Sequence, residues 1–302
     1  MTFFSIILPT YNRANFLARA VESVQNQIFE DWELIIVDDG STDNTVEVIN
    51  NYQSDLRIKY IYQENAERSA ARNNGIKNAK GQYICFLDSD DEYKINHLFD
   101  LFNFMKGKNY PVCITHCGYE IHKVGQKKEI KEAEIPETNN LVEFFFTNPI
   151  SPIRVCIHQK ITEEFEFDEK INIGEDSCLW MQVVIKYPHF VSSHIGVIYT
   201  LHNGNSVNLS NPSAVKMYEG IKYFFSKHKE IRRLISYGIY QSWVSRIMTN
   251  IAIYYSMKNQ RKNAVLWTFR AIFLRPLHEH TIFRFFLILH ILGLKKAPYE
   301  QN

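Results

Sequence analysis

Two rhythms of apolar and polar positions alternate along the first hundred residues. Phe3 to Leu8 is apolar but for Ser5 and is closed by Pro9; Trp32 to Val37, Ile58 to Tyr62 and Tyr83 to Leu87 repeat the form. Short runs of this kind, rich in β-branched and aromatic residues and bounded by polar turns, predict buried strands. Between them Leu17, Ala20, Val21, Val24 and Ile28 recur at helical spacing. Asn44 followed by Glu47 predicts a capping box, Ser69 to Ala79 a helix closed by Lys80-Gly81, and Ile95, Leu98, Phe99, Phe102 and Met105 a further helix. Strands alternating with helices to about residue 105 predict an α/β fold whose first half is parallel and doubly wound.

The middle is less regular. Val112 to Thr115 and Tyr119 to His122 read as two strands, with a turn at Val124-Gly125, an aromatic helix around Leu141 to Phe146 broken by Pro149 and Pro152, and a helix carrying Leu179, Trp180, Val183 and Val184. Beyond Ser213 the pattern is helical throughout, through Ile251, Tyr254 and Tyr255 and then Ala264, Trp267, Ala271 and Leu274.

Carboxylates gather where the strands end. Asp38 and Asp39 follow the second strand, and Asp88, Asp90 and Asp91 the fourth. In open α/β sheets ligands bind at such strand ends. Close carboxylates repel unless a cation is supplied, and Mg²⁺ is held by one or two carboxylates plus substrate phosphates. A metal-diphosphate site is one reading; an aspartate capping the next helix is the other. Glu175 and Asp176 open a helix, where the dipole favours acids, so capping and chemistry are both open there too.

In sequence order, Pro9-Thr10-Tyr11-Asn12-Arg13, Val37-Asp38-Asp39-Gly40-Ser41-Thr42-Asp43, Ala71-Arg72-Asn73-Asn74-Gly75, Phe86-Leu87-Asp88-Ser89-Asp90-Asp91 and Gly174-Glu175-Asp176 resemble the family-2 inverting glycosyltransferases of the GT-A fold. The resemblance covers roughly the first two thirds of the chain. It implies a Rossmann-like mixed sheet over residues 1–210, with a nucleotide-binding half at 1–105 and an acceptor half at 106–210, followed by a helical region at 211–302. It also implies roles. Pro9, Thr10, Tyr11 and Arg13 would line the donor nucleotide, with Tyr11 stacking on the base. Asp38 and Asp39 would bind base or ribose, and Arg72 the base or phosphates. Asp88, Ser89 and Asp90 would form the D-x-D turn, with Asp88 and Asp90 on Mn²⁺ or Mg²⁺ and Asp91 starting the next helix. Asp176 would be the general base and Glu175 its neighbour. His202 is either a late metal ligand or an exposed loop residue. Where relatives carry a glycine-containing turn after Asn65, this chain has Ala66-Glu67-Arg68-Ser69.

The implied reaction moves a sugar from a nucleotide-sugar donor, a UDP-sugar, to a hydroxyl of a glycan or lipid-linked saccharide in polysaccharide biosynthesis. Two other readings are a non-catalytic sugar-nucleotide-binding scaffold and a nucleotidyltransferase. The latter normally carries a glycine-rich phosphate loop after the first strand, and Pro9-Thr10-Tyr11-Asn12 is not one.

Composition adds an asymmetry. Of 34 basic and 33 acidic residues, the stretch from Gly220 onward holds fourteen and three. Such a basic helical tail suits a peripheral contact with an anionic membrane through Phe283, Phe286, Leu287 and His290 with Arg284, Lys295 and Lys296, or packing within the protein or on a second subunit of a homo-oligomer. No nucleic-acid motif accompanies it, so nucleic acid is not expected as a partner. Five scattered cysteines and no basic-then-apolar leader point to a cytoplasmic chain, peripheral at most on the inner face of the membrane. Cys113, His116 and Cys117 lie close, yet no second pair follows at zinc-finger spacing, so no zinc site is assigned.

Overall fold

The computed structural model describes residues 2–123, 126–202, 209–275 and 281–291. The chain divides into two compact units, residues 1–202 and 203–302.

In the first unit the four expected strands form and pair in parallel: β1 (Phe4–Thr10), β2 (Trp32–Asp38), β3 (Ile58–Tyr62) and β4 (Tyr83–Phe86). Between them run α1 (Ala14–Gln25), α2 (Thr45–Asn50) and α3 (Glu67–Lys77). The rest of the unit adds β5 (Glu92–Tyr93), α4 (His97–Gly107), β6 (Ile114–Lys123), β7 (Glu129–Lys131), α5 (Leu141–Thr147), β8 (Val155–His158), α6 (Glu175–Lys186) and β9 (His189–Leu201). One mixed sheet results, in the order β3-β2-β1-β4-β8-β6-β9-β5, with β7 on β6. β8 lies antiparallel to β4 and β6, while β6 and β9 are parallel.

Several local expectations change. The two strands read between 112 and 122 are one strand, its register against β9 shifting around Gly118. A Cβ at Gly118 would lie 2.8 Å from the backbone oxygen of Lys131, so glycine suits this position. β8 and β9 do not stand out in the sequence. β8 is only four residues long, and Ser192, Ser193 and His194 interrupt the apolar pattern of β9. α1 ends at Gln25 and leaves Ile28 51% exposed. α4 buries His97, Leu98, Leu101 and Met105, turning Ile95 and Phe99 outward. The capping box at α2 does not form; Asp43 Oδ1 accepts from the N–H and hydroxyl of Thr45 instead. The turn at Val124-Gly125 lies outside the described residues.

At the amino-terminal edge of the parallel strands a buried carboxylate fixes the packing. Glu33 accepts from Ser5 Oγ and Lys80 N, both at 2.6 Å, and pairs with the Lys59 ammonium. Burial opposes its charge, but these donors outweigh it and hold the carboxyl below its ordinary value. Gly81 N also reaches Ser5 Oγ, at 2.7 Å, and a Cβ on Gly81 would stand 2.4 Å from Ser5 N. Backbone cannot yield there as a side-chain tip can. Gly81→Ala is therefore expected to lower unfolding free energy by about 1–3 kcal/mol, read from urea titration.

The second unit is helical: α7 (Ser213–Lys227), α8 (Lys229–Arg233), α9 (Tyr237–Met257), α10 (Arg261–Leu274) and α11 (Thr281–Ile291). Ala252, Ile253, Ala264, Leu287 and Ile291 form one core cluster, Val244, Met248 and Ala271 another. Of the residues read on a basic face of α11, Leu287 and Arg284 are fully buried, which is the packing alternative for these two. Arg284 Nε donates to Thr249 Oγ1 at 2.9 Å, and its Nη1 to the carbonyl oxygens of Ala271 and Arg275. The Phe286 side chain, Lys295 and Lys296 lie outside the described residues. Among the described residues no helix is long and apolar enough to cross a membrane.

Candidate active site

Parallel pairing in register brings the carboxyl ends of β1, β2 and β4 together, and three loops bind to one another above them. Asn12, in the left-handed region at φ 51°, accepts at Oδ1 from Thr42 N (2.8 Å) and Asp43 N (3.3 Å), and its own N–H donates to Ser41 Oγ (2.9 Å). Asparagine tolerates that conformation. Asp38 is fully buried, its oxygens taken by Ser41 N and the Tyr60 hydroxyl. Asp39 N donates to Thr10 O, and Asp39 Oδ1 accepts from Gln63 Nε2 and Ala66 N. Asn65 Nδ2 closes on Asp39 O at 3.0 Å. Gly40, at φ 82°, admits this approach, since a Cβ there would meet Asn65 N at 2.9 Å. Around this frame Tyr11 is 47% exposed, Pro9 is partly exposed, and Thr10 is buried with its hydroxyl unpaired.

Glu67 occupies the left-handed region at φ 70°, a conformation a glycine takes without steric cost. The departure from the family pattern at this turn thus carries backbone strain.

Arg72 lies on α3 at 3% exposure. It donates from Nη2 to Asp88 Oδ1 at 2.9 Å and from Nη1 to Glu175 Oε1 at 2.8 Å, with its guanidinium 5.3 Å from the Phe167 ring centroid. Burial opposes the charge, and the two carboxylates outweigh it and raise Arg72 above its ordinary value. One cation thus joins the end of β4 to the first turn of α6. Gly174, at φ 84°, turns the chain into that helix, so Glu175 is buried and Asp176 half-buried directly after it. Ser177 N donates to Asp176 Oδ1 at 2.6 Å. Burial and the charge of Glu175 push the Asp176 carboxyl up to about 7, against the lowering influence of Ser177 N and Arg72.

Beyond β4, Ser89 is buried, whereas the side chains of Asp88 and Asp90 remain 26% and 16% exposed. His202 Nε2 stands 2.9 Å from Asp90 Oδ2, and its ring stacks on Phe16 at 4.6 Å. Arg13 approaches Asp90 at 3.9 Å. Asp91 does not start a helix. It is buried, accepts from Thr200 N at 2.8 Å, and precedes β5, with α4 beginning only at His97. Burial and the charges of Asp88 and Asp90 push its carboxyl well above the ordinary range.

The sequence did not point to Asn12 or Arg19 as positioning residues. Arg19 ties Asp90 O (2.9 Å), Thr200 Oγ1 (3.1 Å) and Glu92 (2.9 Å) together. Its exposed place on α1 gave no signal, whereas an asparagine after Pro9-Thr10-Tyr11 was a readable turn cue.

Carboxylates with one imidazole suit Mn²⁺ or Mg²⁺, and Asp88, Asp90 and His202 fit that donor set. Among the described residues the side chains whose ligand atoms already lie within 4.8 Å of one another are His97, Cys117 and His194 instead. There His97 Nδ1 and His194 Nε2 share a hydrogen bond of 3.0 Å, and burial pushes the Cys117 thiol up to about 12, which disfavours the thiolate a metal needs. His116, adjacent to Cys117, pairs with His189 at 2.8 Å.

Residues 5–160 match the family described as Glycosyl transferase family 2. The chain is 37% identical over 183 residues to an uncharacterized glycosyltransferase of Rickettsia felis, covering 60% of this chain and only 30% of that protein's length. It is 31% identical to the GalNAc(5)-diNAcBac-PP-undecaprenol beta-1,3-glucosyltransferase of Campylobacter jejuni, covering 72% of this chain and 71% of the other. The structure of S. aureus TarS 1–349 in complex with UDP-GlcNAc superposes with a TM-score of 0.65 at 17% identity, over 99% of this chain and 92% of that one.

Proposed function

As the chain belongs to glycosyl transferase family 2 and has the GT-A fold, we propose that it moves a sugar from a UDP-sugar to a hydroxyl of a lipid-linked saccharide or related glycan, with inversion at the anomeric carbon. The observation that carries this reading is Asp176: a carboxyl pushed up to about 7, in the first turn of α6, joined through Glu175 and Arg72 to the strand-end carboxylate Asp88. A base poised near the working pH combines a useful ionised fraction with proton affinity. The UDP-GlcNAc bound to the TarS relative supports a uridine donor, and the Campylobacter relative's name supports a lipid-linked acceptor.

In the proposed reaction Tyr11 stacks on the base, while Pro9, Thr10, Arg13 and the loops held by Asp38 and Asp39 shape the nucleotide pocket. Asp88 and Asp90, with Ser89 between them and His202 alongside, would hold Mn²⁺ or Mg²⁺. When bound, that cation offsets the charge of the leaving nucleoside diphosphate. Asp176 takes the proton of the acceptor hydroxyl as its oxygen attacks the anomeric carbon. The bond to the diphosphate oxygen breaks on the opposite face, and its electron pair leaves with the nucleotide. Arg72 and Glu175 act by position, fixing where Asp88 and Asp176 stand.

The test is incubation with a panel of nucleotide sugars, Mn²⁺ and saccharide acceptors, with proton NMR of the product's anomeric centre. The expected result is UDP release coupled to transfer, with the donor's anomeric configuration inverted. Failure to bind any nucleotide and to release diphosphate from any donor would remove the proposal.

A further inference from the structure

α10 carries small side chains inward and several large apolar ones outward. Its inward face carries small side chains, Ala264, Thr268 and Ala271, all buried. Three large ones face away: Leu266 is 47%, Phe269 44% and Phe273 81% exposed. At about 100° per residue, Leu266, Phe269 and Phe273 fall on one stripe, and Lys262 and Arg270 fall within the same sector. Lys262 and Arg270 are also exposed. A groove of about 520 Å³ opens beside this stripe, lined by Arg261, Lys262, Val265, Leu266, Phe269 and Ile291. From Tyr237 to Arg275 the chain holds Arg246, Lys258, Arg261, Lys262, Arg270 and Arg275, and no aspartate or glutamate.

We propose that this face of α10 seats the chain on an anionic phospholipid surface, with Leu266, Phe269 and Phe273 entering the acyl boundary and Lys262 and Arg270 meeting lipid phosphates. Burying large apolar side chains offsets their standing exposure, and basic residues on long stems reach back to the headgroups. The charge distribution selects this occupant. A second copy docking by two-fold symmetry would set the same cations against each other, whereas an anionic surface attracts all of them. The inference stands apart from the transfer reaction, because none of these residues belongs to the proposed site.

Flotation of the full chain with vesicles of phosphatidylcholine, alone or with phosphatidylglycerol added, tests it. Binding to the anionic vesicles is expected, weakened by salt. The pairs Phe269→Ser with Phe273→Ser and Lys262→Glu with Arg270→Glu are each expected to lower it by about tenfold or more. Because all four side chains are exposed, circular dichroism melts of the variants should overlay the parent. Donor turnover on a water-soluble acceptor should be unchanged, which separates this result from failure of the catalytic proposal. Absence of flotation with anionic vesicles, or equal flotation of the variants, overturns the inference. So does a wild-type dimer seen by light scattering that the phenylalanine variants dissociate while vesicles bind neither form.

Discussion

Asp176→Asn is expected to lower kcat by about 10²–10⁴-fold while the Kd for UDP stays within about twofold, because a general base acts on the acceptor's proton and not on the nucleotide. Calorimetry with UDP and initial rates at saturating donor separate the two quantities. In the parent, kcat/KM should fall as pH drops through about 7, the value to which burial and Glu175 push the Asp176 carboxyl. Stability should move the opposite way. A carboxyl raised in the folded state favours folding when protonated, so that contribution is present below its unfolded value near 4 and is lost as pH rises toward 7. The asparagine variant removes that loss and should melt at or above the parent's temperature at neutral pH. An inactive yet more stable variant is what a site held under electrostatic strain predicts. Unchanged turnover would remove Asp176 from the chemistry.

Arg72→Met is expected to be the most destabilising single change in the first unit, lowering unfolding free energy by about 3–5 kcal/mol, because it leaves carboxylates uncompensated. Glu175 is buried at 4% exposure, and Asp88 is the more open of the two. Arg72→Lys should recover only part, since one ammonium cannot reproduce a planar fork donating to two carboxylates. Adding Glu175→Gln to Arg72→Met should restore stability relative to the single variant, and urea titration of the parent, Arg72→Met, Glu175→Gln and the double variant closes the cycle. Catalysis offers a second readout. The Arg72 charge lowers the Asp176 value, so its removal should shift the acid limb of kcat/KM to higher pH. A limb that stays in place would make Arg72 purely structural.

The parallel half of the sheet was legible because each strand is a short, mostly apolar run, while α1 showed an apolar period and α2 and α3 showed cues at their ends. β8 and β9 were not, since four residues carry little pattern and β9 is broken by Ser192, Ser193 and His194. The strand-end acids stood out as a group, but their division of labour did not. Asp38, Asp39, Asp88, Asp90 and Asp91 look alike in the sequence. In the fold Asp38 holds a turn, Asp39 holds the loop before α3, Asp91 ties β5 to β9, and only Asp88 and Asp90 keep part of their side chains open.

The sequence by itself determined the family, the alternation of strands and helices, and the delivery of carboxylates to one edge of the sheet, because each is written in residues near one another along the chain. Tertiary structure decided which of those acids are open, that Arg72 lies between Asp88 and Glu175, 103 positions from the latter, and that the basic tail buries α11's Arg284 and Leu287 while turning the phenylalanines of α10 outward. Ionisation and exposure depend on what surrounds a group in space, and desolvation by distant segments has no counterpart in local spacing.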